Sequence, residues 1–170
     1  MIPLTAAVSG KLTWSRTSCS GRFQLKVNEE VAGTLNRPSL WSSNLIATTD
    51  AGQWTFRRAG FWGTTSEIMD SAGQTIATYK SSWGGKGTLA FADGQRFYIE
   101  MNGIFRPVWS VIAESGQPVV QLHQRGKVVE LPEGMSVASP RLSLLILFGL
   151  YCILQAEEAA AGAAVVAATA

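Results

Sequence analysis

Asp50-Ala51-Gly52-Gln53, Ser71-Ala72-Gly73-Gln74, Ala92-Asp93-Gly94-Gln95 and Glu114-Ser115-Gly116-Gln117 repeat one turn chemistry along the middle of the chain, their glycines 21, 21 and 22 residues apart. Each Gly-Gln step lies between short runs rich in Val, Ile, Thr, Phe, Tyr or Trp. Such runs joined by a glycine-containing turn are the signal of a β-hairpin. A period near 21 residues therefore corresponds to two strands and two turns per unit, and the whole reads as an antiparallel meander.

Extending the same reading outward marks about twelve strands, at 11–16, 22–27, 30–35, 45–49, 53–59, 64–70, 74–81, 88–92, 96–102, 108–114, 118–123 and 127–131. Facing constrains register. A three-residue loop around Gly94 opposes Phe91 to Phe97, Leu89 to Ile99 and Gly87 to Met101, whereas a two-residue loop opposes Phe91 to Arg96 and mixes apolar with charged side chains on one face. The odd loop is expected, with Gly94 supplying a positive φ.

After the last strand the character of the chain changes. Ser139-Pro140 suits a helix start, as N-cap and first helical residue. The segment 142–154, Leu-Ser-Leu-Leu-Ile-Leu-Phe-Gly-Leu-Tyr-Cys-Ile-Leu, is apolar on every side, and a helix of that kind must be surrounded by protein or by lipid. Its length of about 20 Å falls short of a hydrocarbon core of about 30 Å, which favours protein. The Ala-rich stretch 156–170 reads as a tail outside the domain 1–155. A longer membrane-crossing helix through it would carry Glu157 and Glu158 into the bilayer at a large cost. An all-round apolar helix after a dozen strands has an economical place inside a barrel, because eight strands already fill a barrel with their own side chains and about twelve leave room. The expected fold is mainly β: a closed antiparallel barrel of about twelve strands around a central apolar C-terminal helix near 141–155.

Strand number, hairpin meander and the apolar segment 142–154 together resemble the tubby-like β-barrel superfamily, which includes the tubby C-terminal domain, the phospholipid scramblases and the LURP-one-related proteins. The resemblance spans residues 11–155. It implies a non-enzymatic binding module that meets phospholipid at a membrane surface.

Composition narrows the function classes. With 14 Lys and Arg against 12 Asp and Glu, the net charge of +2 lacks the basic blocks of a nucleic-acid binder. Met1–Gly10 has no basic region ahead of a long apolar run, so a cleaved secretory signal is not expected. Cys19 and Cys152 read as two lone thiols in a reducing, cytoplasmic setting. His123 is the one histidine, which removes the Ser-His-Asp and His-rich metal arrangements. No cofactor or metal is expected. Trp83-Gly84-Gly85-Lys86-Gly87-Thr88 lacks the spacing of a phosphate loop and reads as a hairpin connection. Trp54 and Trp109 read as core, and Trp41, Trp62 and Trp83 as caps on the barrel ends.

The candidate ligand-binding residues are Arg57, Arg58, Lys80 and Lys86, which fall on neighbouring hairpins, with one of the adjacent arginines pointing in and the other out. Converging cations of this kind suit phosphate headgroups, each contributing about 1 kcal/mol at an anionic membrane. The expected partner is therefore anionic phospholipid at a peripheral membrane face. Two alternatives stand beside it: a small protein anchored in the membrane by 142–154 and the tail, and an enzyme whose carboxylates gather only in space.

Overall fold

Alternation of inward apolar and outward polar side chains builds every wall of this molecule. The computed structural model describes residues 1–4, 11–18, 22–39, 41–60, 63–132 and 140–169. Its strands are β1 (Leu12–Ser18), β2 (Arg22–Val27), β3 (Glu30–Asn36), β4 (Leu45–Thr49), β5 (Gly52–Ala59) and β6 (Thr65–Met69), then β7 (Thr75–Ser82), β8 (Lys86–Phe91), β9 (Arg96–Asn102), β10 (Val108–Ala113), β11 (Pro118–His123) and β12 (Val128–Glu130). They follow one another around a closed antiparallel barrel. β1 meets β12 at Thr13 and Val128, and the Trp14 N–H donates to the Lys127 carbonyl at 2.9 Å. Closure leaves no open sheet edge.

Loops after even-numbered strands lie at one end of the barrel, which holds all four Gly-Gln turns. Three of them share one geometry. Gly73, Gly94 and Gly116 have φ near +80 to +93°, and each donates its N–H to the residue three before it, Asp70, Phe91 or Ala113, at 2.8–3.0 Å. Positive φ at the last loop position is the conformation that glycine adopts without steric cost. The first turn differs, because Thr49 pairs with Gly52 across a two-residue loop.

The odd loop at Gly94 is as expected, but the register is displaced by two residues. Phe91 and Gln95 close the turn, so Leu89 faces Phe97 and Gly87 faces Ile99. A slip of two preserves every side chain's face, which is why facing alone did not reveal it.

Helix α1 (Pro140–Thr169) enters from the glycine-turn end and runs through the barrel. Every residue from 142 to 154 is buried, and each large apolar side chain so enclosed stabilises the fold by about 1.5–3 kcal/mol. Phe148 is the hub, with its ring centroid 5.5 Å from that of Phe56 and 5.1 Å from that of Tyr79, both edge-on. At the helix start, Arg141 reaches Asp93 at 2.7 Å and stacks over Phe91 at 4.3 Å. That guanidinium holds the Asp93 carboxyl below its ordinary value.

Two expectations need correction. The helix does not end near 155: it continues without a break to Thr169, and Glu157 and Glu158 tie this extension to the barrel rim. Trp41 and Trp83 do not cap the barrel, because they are 97% and 98% exposed. Ser139, Cys19 and Trp62 lie outside the described residues.

Candidate functional site

Loops after odd-numbered strands form the end from which the helix leaves, and chemistry concentrates there. In β1, β3 and β5 the inward phase carries Trp14, Leu35 and Phe56 in the core. Two residues further along each strand, where the barrel opens, the same phase places Arg16, Arg37 and Arg58 around the helix. Arg16 pairs with Glu157 at 3.0 Å and Arg37 with Glu158 at 2.5 Å. Gln124 Nε2 also donates to Glu157, at 3.3 Å. Arg58 differs from these two in having no ion-pair partner among the described residues.

Beside Arg58 a cavity of about 390 Å³ lies between the helix and the β5–β8 wall. Tyr79, Trp109, Tyr151, Cys152 and Gln155 line it with Ser66. Tyr151 and Ser66 share a buried hydrogen bond of 2.8 Å between their hydroxyls. Burial pushes the Tyr79 and Tyr151 hydroxyls up from their ordinary value, and the Ser66 hydrogen bond partly opposes this at Tyr151. Burial also pushes the Cys152 thiol up, so it is a neutral packing group rather than a nucleophile. Trp109 Nε1 and Gln155 Oε1 are buried polar atoms without a hydrogen-bond partner among the described residues, a costly condition that marks a place to look for a ligand.

The four cations singled out from sequence separate into different environments. Arg57 points outward and pairs with Glu67 at 2.5 Å, while Arg58 takes the inward phase beside the cavity. Lys80 is exposed on β7. Lys86 stands 3.8 Å from Glu100. Sequence reasoning missed Arg16 and Arg37, although an arginine two residues beyond the last inward apolar residue was a usable signal on all three strands. His123, at the end of β11, is half-buried 3.2 Å from Glu130. No group of three His, Cys, Asp or Glu side chains suited to a metal ion occurs among the described residues.

Charge and hydrophobicity are divided between the two ends. At the helix-exit end Arg16, Arg22, Arg37, Arg57, Arg58, Lys80, Lys86, Arg106, Arg125 and Lys127 outnumber Glu67, Glu100, Glu130, Glu157 and Glu158. At the opposite end Asp50, Asp70, Asp93 and Glu114 occupy turns, and with Glu29 and Glu30 they outnumber Lys11, Lys26, Arg96 and Arg141. The exit-end loops also carry the exposed Trp41, Trp83, Ile104 and Phe105, the last two 90% and 93% exposed. Between these loop tips the helix emerges, with residues 159–164 exposed and composed of Ala and Gly.

The chain matches no family model, no curated protein and no solved structure.

Proposed function

We propose that the protein is a non-enzymatic binding module whose helix-exit end docks on an anionic phospholipid surface. The observation that carries this reading is the coincidence, at one end, of four exposed large apolar residues on three separate loops with an excess of cations. Large apolar side chains on a soluble surface are ordinary when scattered, but gathered and ringed by charge they mark an interaction site. Tryptophan and phenylalanine suit the headgroup level of a bilayer, and neighbouring Lys and Arg gain about 1 kcal/mol each near an anionic leaflet. The acidic turns at the opposite end orient the barrel with its exit end toward the lipid.

The resemblance to tubby-like barrels supports the same reading by analogy of architecture. By length and composition Pro140–Val165 could cross a membrane, but 61% of its most apolar window is buried inside the barrel. Use of 142–154 as an anchor would empty the barrel, and that cost keeps the anchor reading second.

Co-sedimentation with vesicles tests the proposal. The protein is expected to pellet with phosphatidylserine-containing vesicles more than with phosphatidylcholine alone, and the difference should shrink as salt rises, because exposed charges are screened over about 8–10 Å at physiological strength. Trp83→Ala with Phe105→Ala should reduce pelleting without altering the melting temperature, since surface changes usually stay within about 0.5 kcal/mol. Equal recovery with both vesicle types would refute it. Resistance of the bound protein to alkaline washing would favour the anchor.

A further inference from the structure

We infer that the cavity beside Arg58 is a binding site for a small organic monocarboxylate with an apolar body. The inference starts from a broken pattern. Three arginines project inward at the barrel mouth, and the helix answers two of them with Glu157 and Glu158. The helix face that lines the third carries Gln155, Ala156 and Ala159 instead. Arg58, exposed at the rim of an open cavity of about 390 Å³, thus keeps a guanidinium unmatched among the described residues, and the cavity is within the size range of small-molecule sites.

The surroundings define the ligand. Lys86, the other cation on the cavity wall, already faces Glu100 at 3.8 Å, so the site offers one uncompensated positive charge. A carboxylate matches that charge and the planar fork of the guanidinium. For a dianion such as phosphate the lining offers no second free cation among the described residues. The rings of Tyr79, Trp109 and Tyr151 line the cavity and supply an aromatic surface for the body of the ligand. Of the two unpartnered buried atoms on the cavity residues, Gln155 Oε1 accepts and Trp109 Nε1 donates. A ligand carrying both a carboxylate and a hydroxyl therefore suits the site better than a carboxylate alone.

Isothermal titration of the full chain, without lipid, tests the inference separately from membrane docking. The probes are 4-hydroxybenzoate, benzoate and inorganic phosphate. 4-Hydroxybenzoate should bind saturably at one site with a Kd of about 1 mM or tighter, benzoate more weakly, and phosphate not measurably. Arg58→Gln should weaken 4-hydroxybenzoate by about tenfold or more, the loss of one charge-assisted pair, whereas Arg57→Gln should leave it unchanged. Ala159→Glu places a carboxylate on the helix face that lines the cavity, as Glu157 and Glu158 do for the other two arginines. It should abolish binding while the protein melts no lower than the parent, which keeps the test decisive if Arg58→Gln folds poorly. Absence of saturable carboxylate binding, phosphate binding as tight as carboxylate, or unchanged affinity in Ala159→Glu would each overturn the assignment.

Discussion

Ile146→Asp is expected to leave no soluble, cooperatively folding protein. Ile146 is fully buried midway along the enclosed part of the helix, where an aspartate would find neither water nor a cation. An unpaired charge in such a place costs several kcal/mol, against a total stability of roughly 5–15 kcal/mol for a domain. The loss of the apolar side chain adds to this, because the barrel wall cannot collapse onto a vacancy without breaking its strand pairing. Circular dichroism and a thermal melt of the soluble fraction are the checks. A cooperative transition within a few degrees of the parent would mean that the helix is not the core of the fold.

Gly87→Ala should be the next most damaging single change. Gly87 faces inward on β8, and a Cβ there would overlap the Tyr79 hydroxyl oxygen and two of its ring carbons. The ring cannot swing aside freely, since it is buried and packs edge-on against Phe148 at 5.1 Å. Forcing an extra methyl into a filled core usually costs about 1–3 kcal/mol, which for a domain of this size lowers the melting temperature by about 2–4 °C per kcal/mol. In a Tyr79→Ala background the overlapping atoms are gone, so Gly87→Ala should then cost little further. Additive losses in the double variant would show that the two residues are not coupled.

Much of the architecture was legible because barrel strands signal themselves locally. Alternation and turn glycines located all twelve strands, and 22–27, 45–49, 96–102 and 118–123 have the bounds read from the sequence. Leu142 to Leu154 declared its burial by having no polar face. The site was less legible, for a geometric reason. Arg16, Arg37 and Arg58 are distant in sequence and share one end only because the meander brings β1, β3 and β5 side by side around the emerging helix. Alternation along β5 already sends one of Arg57 and Arg58 inward and the other outward, but it does not show which cations find a carboxylate. Glu67 and Glu100 then absorb Arg57 and Lys86 by cross-strand pairing that register alone determines. The exposed Trp41 and Trp83 were misread for a related reason, because a loop's sequence does not tell whether its tip folds back over the barrel.

The central claim is that the helix-exit end meets lipid, and tryptophan quenching by brominated phospholipid tests it most directly. Trp41 and Trp83 stand exposed at that end, while Trp14, Trp54 and Trp109 are buried. With Trp62 replaced by Phe throughout, emission on anionic vesicles carrying brominated acyl chains should be quenched, and most of that quenching should vanish on adding Trp41→Phe and Trp83→Phe while binding is retained. Vesicle-bound Trp62→Phe protein whose emission is unaffected by bromine, or whose quenching survives the further loss of Trp41 and Trp83, would contradict the proposed orientation.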